Sequence, residues 1–225
     1  MGTKRIAALA IVVSVLGLSL GFAAFSNTLT IKSEALVQPN ENLFNIDFVG
    51  DSGGSVAPVI DNTVPGATAT NATIGSDANG NSVIENIKAT FTEPGQSVSY
   101  TFSTSNNGSF KAYLKSISFS NATGGDSFKL CSKVTEGKEA SEYATDALVA
   151  AACNGINLTL RLGSENFTDD AVRTGFAVPT AHDLDVSASE QIVVTITYAA
   201  NSARADGEFT VKFGDITLLY SSVEN

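Results

Sequence analysis

A chain with one histidine and no tryptophan has few routes to an active site. A Ser-His-Asp or Cys-His arrangement would have to use His182 as its base. That residue sits in the polar connection Pro179-Thr-Ala-His-Asp-Leu184, and it reads as a surface-loop histidine. There is no His-Glu-x-x-His stretch, and zinc hydrolysis normally draws on more than one imidazole. The two cysteines, Cys131 and Cys153, have no metal-type spacing; as an even pair in an exported chain they read as one disulfide. The carboxylates are more numerous. Asp77-Ala-Asn-Gly-Asn-Ser-Val-Ile-Glu85 superficially resembles a calcium loop, but Gly80 precedes Asn81, whereas such a loop places its glycine after the third ligand. Asn-Gly there is more simply a hairpin turn. Acid pairs for sugar hydrolysis could be drawn from Asp51, Asp126, Glu165, Asp169 and Asp170, yet no spacing singles out two. No catalytic, metal or cofactor site is therefore expected, and the chain does not read as an enzyme.

Charge restricts the partners. Charged residues make up 16% of the 225-residue chain, with a net charge of −10. Phosphate backbones need clustered Lys and Arg, so no nucleic acid partner is expected. An acidic surface also repels anionic headgroups, which leaves the N-terminal apolar segment as the one membrane link. That segment begins Met1-Gly-Thr-Lys-Arg-Ile6, continues apolar to Leu20, and ends Gly21-Phe-Ala-Ala-Phe25. Two basic residues, an apolar helix and small residues at its end describe a signal peptide over residues 1–24, cut after Ala24 or Ala23. An uncleaved anchor is the other reading, since about 20 apolar residues just span a bilayer. Both place the remainder outside the cytoplasm. Five Asn-x-Ser/Thr acceptors, at Asn71, Asn107, Asn121, Asn157 and Asn166, would matter only where exported proteins are glycosylated.

The elements that must carry any function have period two. In Asn27 to Gln38 the apolar residues Leu29, Ile31, Ala35 and Val37 share one face, with Thr28, Thr30, Lys32 and Glu34 on the other. Residues 25–38 thus form an N-terminal strand ahead of a domain over 39–225. Phe44, Ile46 and Phe48 alternate next. Residues 50–81, rich in Gly, Ala, Ser and Thr, read as a surface excursion with short edge strands at most. Ile87, Ala89 and Phe91 lead to the Glu93-Pro-Gly95 turn, and Gln96 to Ser103 follows as a strand. Asn106-Asn-Gly-Ser109 reads as a turn, with Phe110 to Ser120 as the partner strand and a bulge near Lys115. Glu139 to Ala152 carries the one helical pattern, through Tyr143, Ala147, Leu148 and Ala151. Ile156 to Leu162 is apolar at every even position. Gln191 to Tyr198 and Glu208 to Tyr220 read as a closing pair, kinked at Gly214. Short alternating strands with one helix imply an all-β sandwich of jelly-roll type behind a signal helix.

Three segments together resemble the TasA/camelysin family of secreted fibre-forming proteins. They are Gly21-Phe-Ala-Ala-Phe-Ser-Asn27, Glu93 to Ser103 with Asn106-Asn-Gly-Ser109, and the pair Gln191 to Tyr198 and Glu208 to Phe213. Gln96 departs from the pattern, standing where the family's Pro-Gly turn often carries an acid. The resemblance implies an extracellular matrix or biofilm subunit that polymerises with copies of itself, and with other surface or matrix proteins, by donating its N-terminal strand. Leu29, Ile31, Ala35 and Val37 would be the donated side chains. A non-polymerising adhesin or glycan-binding sandwich is the competing expectation.

Overall fold

The computed structural model describes residues 26–31, 43–50, 54–76, 82–119, 121–122, 128–134, 147–168, 182–214 and 216–224. The signal segment, Ala24, Ala35 and Val37 lie outside these residues, as do Asp51, Asp126, Asp169 and Asp170. Among the described residues no helix is long and apolar enough to cross a membrane.

The chain is mostly β. Its strands are β1 (Ser26–Ile31), β2 (Ile46–Val49), β3 (Ser55–Val56), β4 (Pro58–Asp61), β5 (Thr68–Ala69), β6 (Ala72–Ser76), β7 (Ser82–Glu85) and β8 (Lys88–Phe91). They continue as β9 (Ser97–Asn106), β10 (Tyr113–Phe119), β11 (Lys129–Lys133), β12 (Ile156–Leu162), β13 (Glu165–Thr168), β14 (Ser189–Tyr198), β15 (Phe209–Phe213) and β16 (Ile216–Ser221). One short helix, α1 (Ala147–Cys153), joins them among the described residues. The first sheet runs β10-β16-β1-β7-β6-β3, the second β11-β15-β8-β5, and the third β13-β12-β14-β9-β2, with β4 also on β9.

Alternation in the sequence becomes burial. In β9, Val98, Tyr100 and Phe102 point inward and Ser97, Ser99 and Thr101 outward, while β12 buries Ile156, Leu158, Leu160 and Leu162. Because successive side chains take opposite faces, such strands can cover a core on one side and stay wetted on the other. The sheets share that core. Phe91 and Phe209 of the second sheet meet Tyr198 of the third at 6.0 and 5.3 Å between ring centroids. Phe128, just before β11, packs on Phe119 of the first sheet at 4.7 Å and on Phe213 at 5.5 Å. The Tyr100 hydroxyl reaches across to Lys88 O and Thr70 O, 2.9 Å each, and burial pushes its ionisation up to about 12.

Several expectations hold in detail. The β10–β16 register slips between Leu114 and Ser116, which places the bulge at Lys115. Cys131 and Cys153 form the disulfide, tying the middle of β11 to the end of α1. Residues 54–76 do supply short strands, with β3 and β5 at sheet edges, but they are more than a surface excursion: β6 lies inside the first sheet between β7 and β3, and Val56, Ala67 and Ala72 are core. β6 and β7 pair antiparallel up to Ser76↔Ser82, as strands joined by a hairpin do, and residues 77–81 between them lie outside the described structure. Pro94 and Gly95 turn the chain from β8 to β9, and Gly95 adopts a φ of 95° that its lack of a Cβ permits.

Other expectations need correction. β14 pairs with β12 and β9, so Gln191 to Tyr198 and Glu208 to Tyr220 are not a pair. Gly214 does more than kink a strand: β15 before it pairs with β8 and β11, while β16 after it pairs with β1 and β10. Likewise β10 is not the hairpin partner of β9, since the chain changes sheets through Asn106–Phe110. Local turn chemistry reveals that a chain turns but not which sheet it enters. The helix was placed on the wrong face: Val149 and Ala152 are buried, whereas Leu148 is 52% exposed. Residues 135–146 lie outside the described structure, so only Ala147–Cys153 speaks for that helix.

Gln96 fastens the turn between β8 and β9. Its fully buried amide accepts from Thr92 N at 2.8 Å and Glu93 N at 3.1 Å, and donates to Pro65 O at 2.7 Å and Thr92 Oγ1 at 2.8 Å. A carboxylate could take the two backbone donors but has nothing to offer the Pro65 carbonyl.

Candidate functional site

The chain's N-terminal strand occupies an interior place in the first sheet. β1 runs antiparallel to β16 over six register pairs, from Ser26↔Ser221 to Ile31↔Ile216, and touches β7 in parallel at Thr30↔Val83. Leu29 stands opposite Leu218 and Ile31 opposite Ile216, partners that are themselves fully buried. Two of the four predicted assembly residues thus fall in register with core positions, and the other two, Ala35 and Val37, lie outside the described residues. Taking β1 away would uncover the row of backbone N–H and C=O groups that β16 turns toward it, together with the single contact on β7. The chain from β1 to β2 passes through residues 32–45, which when extended reach at most ~45 Å.

A second cluster surrounds the single histidine. His182 is 3% exposed, contrary to the surface-loop expectation, because its segment is sewn to the first sheet. Ala112 and Leu184 exchange backbone bonds at 2.8 and 2.7 Å, and the Asp183 carboxylate accepts from Leu114 N at 3.2 Å. The buried Asn106 side chain donates to Leu184 O at 3.0 Å and Phe110 O at 2.8 Å, and accepts from Gly108 N at 3.0 Å. The imidazole Nδ1 lies 2.7 Å from Glu190 Oε1 and Nε2 lies 3.5 Å from Glu165 Oε2, with Phe167 edge-on at 5.8 Å. Nothing in the sequence joins residues 165, 182 and 190: the pairing of β12 with β13 and β14 brings the two acids near each other, and the Ala112–Leu184 exchange brings His182 to them.

Nearby, the Tyr220 hydroxyl is buried without a protein partner in hydrogen-bonding geometry. Burial raises its ionisation well above the ordinary phenol range, the Thr104 hydroxyl eases that shift, and the charges of Glu190 and Asp183 add to it. Neither cluster contains a nucleophile paired with a base. Among the described residues no three metal-binding side chains converge. Gly50-Asp-Ser-Gly-Gly54 has the spacing of a nucleophile elbow. Its flanks are strands β2 and β3, not the strand and helix an elbow needs, and Ser52 lies outside the described residues.

Fold and site together define an all-β, disulfide-linked sandwich whose N-terminal strand completes its own sheet. No protein-family model, curated protein or solved structure matches the chain.

Proposed function

We propose that the chain is a structural subunit of an extracellular fibre or biofilm matrix, exported by its N-terminal signal and self-assembling by strand donation. The observation that supports this reading is the interior position of β1 between β16 and β7. A strand at the very start of the described chain, held at one side of a long connection, can fill that place in its own molecule or in a neighbour. Both placements use the same register, so nearly the same hydrogen bonds and side-chain contacts form in each. Local concentration and the strain of the connection then decide between closed monomers and open polymers. The partner is a second copy of this chain, with other matrix proteins able to cap or join the fibre through the same slot.

Negative-stain microscopy of the mature protein, with and without residues 25–38, tests the reading. Fibres that need the segment support donation. Fibres that persist without it overturn donation, and an intact chain that never elongates leaves a solitary exported adhesin or glycan-binding sandwich.

A further inference from the structure

We infer that His182, held between Glu165 and Glu190, is a proton-operated latch that fastens β13 to the body of the third sheet. The inference does not depend on fibre assembly. β13 stands at the end of its sheet in the described residues and pairs with β12, from Thr159↔Thr168 to Leu162↔Glu165. Glu165 opens that strand, and through His182 it is linked to Glu190 of β14, one strand further in. The link therefore bypasses the backbone ladder and crosses β12.

The chemistry of imidazole makes the link conditional. Protonated, the ring donates from both nitrogens and can hold both carboxylates. Neutral, it donates from one. The tautomer with Nδ1–H serves Glu190 at 2.7 Å and turns the Nε2 lone pair toward Glu165 Oε2 at 3.5 Å, acceptor against acceptor. At 3.5 Å the Nε2–Glu165 contact is an ion pair and not a hydrogen bond, and Nε2, like Glu190 Oε2, is buried without a hydrogen-bond partner, so this contact depends on the ring's charge. The two acids also differ in freedom. The Glu165 side chain is 41% exposed and can turn to water, whereas that of Glu190 is 16% exposed and is held in place. Removing the proton thus releases the β13 side first.

The surrounding charges act in the same direction. On the histidine's own segment, Asp183 is 10% exposed and is met by Lys111 at 3.7 Å. Glu165 faces the ring from β13 and Glu190 from β14. From β12, Arg161 turns Nη1 to Gly163 O at 2.9 Å. Tyr220 of β16 senses Glu190 and Asp183 but stays neutral, because burial raises its ionisation. Two carboxylates thus face one imidazole, and its proton offsets part of their mutual repulsion. The latch holds while the ring is protonated and Glu165 ionised. It opens when either condition fails.

The test follows the full chain, labelled with 15N, across pH. Imidazole 15N shifts report the ring's protonation, and hydrogen-exchange protection factors report the amides of Asn166, Phe167 and Thr168. Their protection should fall by about tenfold over the pH range in which the ring loses its proton, the share of one charge-assisted hydrogen bond at a half-exposed acid. The amides of β9 and β14 should hold steady. Glu165→Gln, which keeps the side chain's size at a half-exposed position, should erase the step while leaving the ring's 15N shifts measurable. Protection of β13 that stays constant while the ring titrates would overturn the latch. So would a ring that keeps one protonation state wherever the protein is folded.

Discussion

Replacing Gln96 by Glu changes one nitrogen into one oxygen at a fully buried position. Volume is conserved, so packing contributes little. The two bonds from Thr92 N and Glu93 N survive, because a carboxylate oxygen accepts them as well as the amide oxygen does. The two donated bonds, to Pro65 O and Thr92 Oγ1, are lost. Thr92 can rotate its hydroxyl to donate, but the Pro65 carbonyl cannot, and it is left facing an acceptor. An unmade bond at a buried carbonyl costs about 1–3 kcal/mol. Burying the added charge costs more, but the carboxyl can escape by taking a proton. At pH 7 that escape costs about 3.7 kcal/mol for an acid of ordinary pKa about 4.3, at 1.36 kcal/mol per unit. The destabilisation at pH 7 should therefore fall between about 2 and 4 kcal/mol. The sign with pH follows from linkage. The folded state holds the added proton more tightly than the unfolded chain, so the variant binds more protons when folded and loses stability as pH rises above about 4.3. Urea unfolding of both proteins at pH 7 and near pH 4.5 measures this, with the gap expected to shrink to about 1 kcal/mol at the lower pH. A variant as stable as the parent at pH 7, or a gap independent of pH, would refute the reasoning.

Other perturbations probe different contacts. Breaking the Cys131–Cys153 disulfide, whose partners are 22 positions apart, should cost about 3 kcal/mol in the chain-entropy picture, read as a lower denaturant midpoint for Cys131→Ala/Cys153→Ala. A Cβ on Gly155 would overlap the Ser202 side chain, so Gly155→Ala should destabilise by about 1–3 kcal/mol, and adding Ser202→Gly should recover most of that loss in a double-mutant cycle. Tyr100 is raised from 10.0 to about 12 by burial, so its contribution is complete below pH 10 and is lost as pH climbs toward 12. Tyr100→Phe should lose about 1 kcal/mol at neutral pH and flatten that alkaline slope in thermal melts.

Much of the fold could be read from local pattern. Alternation in residues 96–103 and 156–162 gave strands with the correct inward faces, and the phase change near Lys115 marked a true bulge. Pairing between strands could not be read this way. Gly214 and Asn106–Phe110 look like ordinary kinks and turns, yet both carry the chain from one sheet to another, a choice made by long-range packing. The helix face failed for a related reason: with small residues at Ala147, Ala150, Ala151 and Ala152, spacing alone does not show which side is buried. His182 was misread because polar neighbours suggested solvent, whereas the bonds that bury it come from Ala112, Leu114 and Asn106, distant in sequence. Leu29 and Ile31 were legible as one face of a strand, but their register on β16 was not.

The central claim is that β1 completes the first sheet and can do so in a neighbour. Thr30 and Thr217 are Cα partners across β1 and β16, and cross-strand Cα separations of about 4.5–5.5 Å suit a disulfide. Thr30→Cys and Thr217→Cys, made in separate chains carrying different tags, should be mixed, concentrated and oxidised. Strand donation predicts disulfide-linked heterodimers that carry both tags, at a yield that rises with concentration. If the mixed single variants never cross-link, while the double variant closes only within one chain at every concentration, the fibre reading is contradicted.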